Sequence, residues 1–274
     1  MTPPTIAPSP TARPPAGGRA VGVIPARWGS TRFPGKSLAP VGGKPLVQWV
    51  CERASRASRL AEVCVATDDA RIAKAVSEFG FRAVMTRPDH PSGTDRVAEA
   101  ARALEADIVV NIQGDEPLIE PALIDELVSA LTEDTRWDMA TAACPIRTEE
   151  EARRPTVCKV LMDKAGGALY FSRHAIPFVR DPDRAPAGLT RWRHIGIYLY
   201  RRPFLERLVA APPCMLEQAE CLEQLRALYL GGRIRVVTTE HLGLGVDVPA
   251  DVAEVESEMR ARGLIPAGPP KGAT

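Results

Sequence analysis

Between Val21 and Leu131, short apolar runs alternate with amphipathic stretches four times. Val21–Ile24, Val63–Ala66, Ala83–Met85 and Ile108–Ile112 are too short for independent helices and read as strands. Each is followed by apolar residues at helical spacing: Leu46, Val47, Val50, Cys51 and Ala54, then Ile72, Val76 and Phe79, then Val97, Ala101 and Leu104, then Ile124, Leu127, Val128 and Leu131. Pro45 and Pro121 suit first helical turns, and Gly80 suits a stop. This order predicts an α/β fold with a mostly parallel sheet and helices on both faces. Ligands of such sheets bind at the carboxyl ends of the strands. The polar clusters at 25–36, 67–69, 87–96 and 113–117 all follow strands, which makes one shared crevice the expected site.

The pattern changes after residue 138. Met139–Ala143, Val157–Met162, Ala168–Phe171 and Ile195–Tyr200 read as strands without long helices between them. Part of this region, about 139–194, is expected to form a smaller strand-rich subdomain. An amphipathic helix over 216–230 follows, with Leu216, Leu222, Leu225 and Tyr229 on related turns, then a strand at Arg235–Thr238 and a last helix at Pro249–Arg262. Residues 1–19 are rich in Pro and Ala and hold no apolar block, so they are expected to be disordered. Residues 264–274 read as a loose tail, leaving 20–263 as one domain.

No run of about 18 apolar residues occurs, and the N-terminus lacks the apolar stretch of a secretory leader, so no membrane association is expected. The 35 basic and 34 acidic residues give a net charge of +1, which supplies no broad field for nucleic acid. The six cysteines form no C-x-x-C pair. They read as reduced thiols of a cytoplasmic protein rather than as zinc ligands or disulfides.

The segment from Pro25 to Lys36 is the most informative. It places Arg27, Arg32 and Lys36 in a loop after a strand, with Gly29 and Gly35 between. Glycines let backbone N–H groups approach an anion and the cations neutralise it, so the loop suits phosphates. Gly35-Lys36-Ser37 also resembles the end of a Walker A loop. That motif needs four residues between its glycines and runs straight into a helix, whereas five separate Gly29 from Gly35, and Pro40 follows. Asp115, after the strand ending at Ile112, and Asp247, in the Gly-rich turn Gly243–Pro249, are candidate ligands for Mg²⁺, a metal that takes a few carboxylates plus phosphate oxygens. A turn role for Asp115 and an N-cap role for Asp247 fit the same sequence.

A set of motifs then carries a resemblance. Ile24-Pro25-Ala26-Arg27, Ser30-Thr31-Arg32, Pro34-Gly35-Lys36, Gly93-Thr94-Asp95-Arg96, Gln113-Gly114-Asp115-Glu116-Pro117, Tyr170-Phe171-Ser172-Arg173, Arg193-His194-Ile195-Gly196-Ile197-Tyr198 and Leu222-Glu223-Gln224-Leu225-Arg226 occur in this order. Together they resemble the 3-deoxy-D-manno-octulosonate (Kdo) cytidylyltransferases, from about residue 20 to 262. Sialic acid cytidylyltransferases share the cationic loop but not the later motifs. Asp95 stands where the family pattern has Glu, and Val248-Pro249-Ala250-Asp251 where Thr-Pro-Glu-Asp is common.

The resemblance implies a Rossmann-like nucleotide-diphospho-sugar transferase fold and the reaction of CTP with Kdo to give CMP-Kdo and pyrophosphate. It also implies Mg²⁺, a homodimer formed through the smaller subdomain, and supply of lipopolysaccharide biosynthesis. Carried over by position, Arg27, Ser30, Arg32 and Lys36 face the triphosphate, with Arg27, Lys36, Asp115 and Asp247 as the catalytic set. Asp115 and Asp247 hold the metal. Ser92, Gly93 and Thr94 lie near the base. Arg96, Gln113, Arg173, His194, Tyr198, Glu220 and Gln224 surround the sugar acid, with phosphates an alternative for Arg96. Glu220 and Gln224, four apart on one expected helix, share a face. A cytidylyltransferase for another sugar acid, such as 8-amino-Kdo or a sialic acid, is the alternative. A non-catalytic nucleotide-binding module has no need of the two aspartates.

Overall fold

A computed structural model describes residues 18–30, 32–184 and 186–266. The expectations of disorder over 1–17 and of a loose tail over 267–274 lie outside these residues. The first half follows the predicted alternation in β1 (Ala20–Ala26), α1 (Leu46–Ala54), β4 (Leu60–Thr67), α2 (Ala70–Glu78), β5 (Arg82–Met85), α3 (Gly93–Arg102), β6 (Ile108–Asn111) and α4 (Pro121–Glu133); the small hairpin of β2 (Pro40–Val41) and β3 (Lys44–Pro45) was not expected, and Pro45 ends β3 ahead of α1 instead of lying in its first turn. Asp69 caps α2 by accepting from the Arg71 N–H, and Ser92 caps α3 by accepting from that of Asp95. The second half holds β7 (Met139–Pro145), α5 (Glu149–Arg153), β8 (Lys159–Met162), β9 (Ala168–Ser172), β10 (Trp192–Arg201), α6 (Arg202–Ala210), α7 (Met215–Glu220), α8 (Gln224–Tyr229), β11 (Ile234–Thr238) and α9 (Asp251–Ala261).

The strands run in the order β11-β7-β10-β6-β1-β4-β5. β4, β1 and β6 are parallel neighbours, as are β4 and β5, and β7 and β11. β10 is antiparallel to both β6 and β7, so the sheet is mostly parallel with one reversed strand near its middle. Period-two alternation sorts its side chains into two cores. Ala20, Ile24, Ile108, Val110, Ile195 and Leu199 pack with α1, α2 and α4, whereas Val21, Val23, Val109 and Tyr200 pack with α3, α6 and α8. Helices therefore cover both faces, as the alternation requires.

The structure corrects several boundaries. β7 lies inside the central sheet, so the strand-rich extension begins after it. The β8–β9 hairpin joins the sheet where Lys159 and Val160 pair with Arg193 and Trp192 at the start of β10. α6 was not expected; Pro203 opens it, and Phe204, Leu205 and Leu208 anchor it. The helix expected over 216–230 is two helices, broken at Cys221, which has left-handed φ 51° and ψ 51°. The end expected to be loose is fixed as far as Ile265, which packs with Val41, Leu46, Trp49, Val246, Val255 and Met259. Among the described residues no helix is long and apolar enough to cross a membrane.

Candidate active site

The carboxyl ends of β1 and β6 face a cavity of about 330 Å³, bordered on its outer side by Asp247. Arg27, Ser30, Arg32 and Lys36 line one wall, and Ser92, Gly93 and Arg96 another. The cationic loop is folded on itself: the N–H groups of Ser30 and Gly35 both donate to the Trp28 carbonyl, at 2.9 and 3.1 Å. Arg71 lies over the Trp28 indole, 3.4 Å from the ring centre to its guanidinium carbon. Gly35 has φ 71°, where a side chain is strained, and an added Cβ would also stand 3.1 Å from the indole.

Asp115 and Asp247 converge on one cation. The Lys36 Nζ lies 2.7 Å from Asp115 Oδ2 and 3.5 Å from Asp247 Oδ1, and Arg32 reaches Asp247 Oδ2 at 3.4 Å. Their loops are joined through the backbone, since the Val246 N–H donates to the Asp115 carbonyl at 2.9 Å. Val246 is fully buried in the third apolar cluster, which fixes the Asp247 turn against α1 and α9. Asp247 does not cap the last helix. The residue ahead of α9 is Ala250, which offers no side-chain cap, and Asp251 Oδ2 instead fastens the preceding turn by accepting from the N–H groups of Asp247 at 2.7 Å and Val248 at 2.9 Å. The Asp247 carboxylate is left facing the cations. Beside Asp115, Glu116 is half-buried; burial and the Asp115 charge push its carboxyl up to about 7, against the pull of Arg193.

Gly114 sets the distance between the two loops. A Cβ there would stand 2.9 Å from the Pro25 carbonyl oxygen and 3.3 Å from Ile24 Cγ2. Backbone cannot turn aside as a side chain can, so Gly114→Ala must part the ends of β1 and β6. Such overpacking costs about 1–3 kcal/mol. Gly114→Ala is therefore expected to melt at lower temperature and to lose turnover through the misplaced Asp115, as thermal melting and pyrophosphate release will measure.

A second cavity, about 260 Å³, adjoins the first and is lined by Thr94, Asn111, Gln113, Tyr198, Tyr200 and Gln224, among others. The two share Gly93, Gln113 and Glu223. The Tyr198 hydroxyl donates to Gln224 Oε1 at 3.3 Å, and burial raises the pKa of both tyrosines, keeping them protonated donors. A bulge shapes this wall. Ile195 pairs with Ala142 and Tyr198 with Thr141, leaving Gly196 and Ile197 as extra residues in β10. The Thr141 hydroxyl fills the opening and donates to the Ile197 carbonyl at 2.8 Å.

Three residues grouped around the sugar by resemblance do not line either cavity. His194 is buried, and burial pushes its pKa down to about 3, so the imidazole is neutral. Thr141 spends its one proton on a carbonyl, so His194 Nε2 donates to Thr141 Oγ1 at 2.9 Å. Its ring packs on Tyr198 with centroids 5.4 Å apart and so backs the cavity wall. Arg173 donates to the carbonyls of Glu220 at 2.7 Å, Pro155 at 3.1 Å and Cys221 at 3.2 Å. The Glu220 carboxylate accepts from Ser172 Oγ at 2.6 Å and from the Arg173 N–H at 2.8 Å. Because α7 ends at Glu220, Glu220 and Gln224 do not share a helix face. Arg96 lines the first cavity, not the second, and is held by Thr86 at 2.6 Å and Asp68 at 3.2 Å. Sequence reasoning also passed over Asn111, Tyr200 and Glu223, which line the second cavity. The alternation of β6 and β10 puts Asn111 and Tyr200 on its face, and would have revealed them had the β6–β10 pairing been known.

Residues 21–234 match the model of the cytidylyltransferase family. Over 245 residues the chain is 51% identical to 3-deoxy-manno-octulosonate cytidylyltransferase of Geobacter sulfurreducens, covering 87% of this chain and 98% of that one. The protein of the same name from Pelobacter propionicus is 50% identical over 246 residues, 87% and 96% of the two chains. The solved structure of CMP:2-keto-3-deoxy-manno-octonic acid synthetase complexed with CTP superposes with a TM-score of 0.85 at 45% identity, over 89% of this chain and 99% of that one. With the motifs in order, the strand ends carrying them gathered on one crevice and half of all aligned residues shared, this chain belongs to the 3-deoxy-manno-octulosonate cytidylyltransferase family.

Proposed function

We propose that the enzyme transfers the cytidylyl group of CTP to Kdo, releasing pyrophosphate, and so supplies CMP-Kdo for lipopolysaccharide assembly. The observation carrying this reading is the convergence of Asp115 and Asp247 on one cation, inside a ring of basic residues beside a second, hydroxyl- and amide-lined cavity. Arg27, Arg32 and Lys36 bind the triphosphate and neutralise the leaving pyrophosphate. Ser92, Gly93 and Thr94, at the start of α3, flank the nucleotide. Gln113, Tyr198 and Gln224 offer hydrogen bonds to the sugar hydroxyls, with His194, Arg173 and Glu220 supporting the elements that carry them. Catalysis then rests on holding the sugar hydroxyl in line with the α-phosphorus.

Two hard carboxylate oxygens from separate loops, already drawn to one ammonium group, suit Mg²⁺, which completes its shell with phosphate oxygens and water. Asp115 and Asp247 would hold it. Bound there, the ion would supply charge neutralisation at the α-phosphate and acidify the attacking hydroxyl. A cleft of about 780 Å³ bounded by Phe178 and Leu189, which are 80% and 40% exposed, supports a homodimer through the segment after β9.

Pyrophosphate release with CTP, ATP, GTP and UTP against Kdo, 8-amino-Kdo and a sialic acid tests the reading. CTP with Kdo is expected to turn over fastest. Equal turnover with ATP, or a clear preference for another sugar acid, overturns it.

A further inference from the structure

A bond between a ligand in one cavity and a phosphate in the other forms beside the wall that the cavities share. That wall consists of Gly93, Gln113 and Glu223. Gly93 has no side chain. The Gln113 amide is not a base near neutral pH, and its Nε2 is directed to Asn111 Oδ1 at 3.4 Å. Glu223 alone of the three carries a group that takes up a proton.

Its carboxylate is half-buried and has no hydrogen bond or ion pair among the described residues. The other acids of this region differ. Glu217 spends both oxygens on Arg226, and Glu220 spends both on Ser172 and Arg173. The chain aims Glu223 by a strained turn. α7 stops at Glu220, Cys221 adopts its left-handed conformation, Leu222 enters the core, and α8 restarts at Gln224. Arg173 holds that turn by donating to the carbonyls of Glu220 and Cys221. Tyr198 and Tyr200, on β10, line the second cavity together with Glu223, and Arg226 lies in α8, the helix that Glu223 precedes.

We infer that Glu223 is a catalytic residue, whose carboxylate accepts the proton of the sugar-acid hydroxyl as that hydroxyl attacks the α-phosphorus. The inference rests on the reading above. The O–H bond breaks and its proton passes to Glu223. The hydroxyl oxygen bonds to the α-phosphorus, and the bond from that phosphorus to the α,β-bridging oxygen breaks, its electron pair leaving with pyrophosphate. Solvent then takes the proton from Glu223.

Wild-type turnover of CTP with Kdo tests the reading separately from the inference. With that turnover in hand, Glu223→Gln keeps the shape and removes the base. It is expected to lower kcat by about 10²–10⁴-fold, with KM for CTP and for Kdo each within about threefold of wild type. Glu223→Ala is expected to lose as much and to regain about tenfold or more when formate is added as a replacement carboxylate. Circular dichroism and CTP titration confirm that each variant is folded and binds nucleotide; if one is not, the other carries the test. A kcat near wild type, a loss confined to KM for Kdo, or an alanine variant that formate does not restore overturns the inference while leaving the cytidylyltransferase reading intact.

Discussion

Asp115→Asn and Asp247→Asn are each expected to lower kcat by roughly a hundredfold or more, corresponding to about 3 kcal/mol of transition-state stabilisation. Each change nearly keeps the shape and removes the charge that a hard divalent cation requires. The two carboxylates meet at one point, so the double variant should be little worse than either single one. Stability should change little, because Asp247 is more than half exposed and such ion pairs contribute about 0–1 kcal/mol. Asp251, not Asp247, holds the N–H groups ahead of α9, so loss of a helix cap cannot account for any effect. Measuring kcat against Mg²⁺ concentration for the three variants, with melting temperatures alongside, checks this. Near wild-type turnover in Asp247→Asn would defeat the shared-cation arrangement.

Glu217→Ala is expected to produce the largest loss of stability. Glu217 and Arg226 have side chains only 10% exposed and form a two-pronged pair, at 2.7 and 2.5 Å. Arg226 also reaches the carbonyls of Leu208 at 3.3 Å and Ala211 at 3.2 Å, joining α6, α7 and α8. Removing one partner strands the other charge in the interior, at a cost of about 3–5 kcal/mol. In a chain of this size that lowers Tm by roughly 6–20 °C. The double variant Glu217→Leu/Arg226→Met leaves no charge behind and should recover much of the loss. Calorimetry of the single and double variants decides the point, and a single variant within about 1 kcal/mol of wild type would show that the pair is solvated.

The first half of the fold was legible because each of its signals is local. Apolar runs, helical spacing and the proline and glycine punctuation lie within a dozen residues of one another, and β1 to α4 follow them, apart from the short β2–β3 hairpin. The reversed strand β10 was not legible in the same way, because its insertion between β6 and β7 depends on partners far away in sequence. Arg27, Lys36, Asp115 and Asp247 line one cavity, since each follows a strand that ends in the crevice or lies in a turn packed against one. His194, Arg173 and Glu220 show the limit. A histidine at a strand start or a lone arginine looks alike in sequence whether it meets a ligand or a carbonyl. Glu223 was passed over because an unbroken helix puts Glu220 and Gln224 on one face. The break at Cys221 carries no glycine to announce it.

The position of Asp247 also sets when the proposed site can be assembled during synthesis. Lys36 and Asp247 are 211 residues apart, and Arg32 and Asp247 215 apart. β10, which closes the sheet between β6 and β7, is itself made late. A growing chain can pair β1, β4, β5 and β6 early, because their connections are short. It then carries the basic loop and one carboxylate, but neither the reversed strand nor the second carboxylate. The turn bearing Asp247 in turn needs α9 and Ile265 beneath it. A nascent chain halted after β6 and before Asp247 has the cations proposed to meet the nucleotide and lacks the second carboxylate.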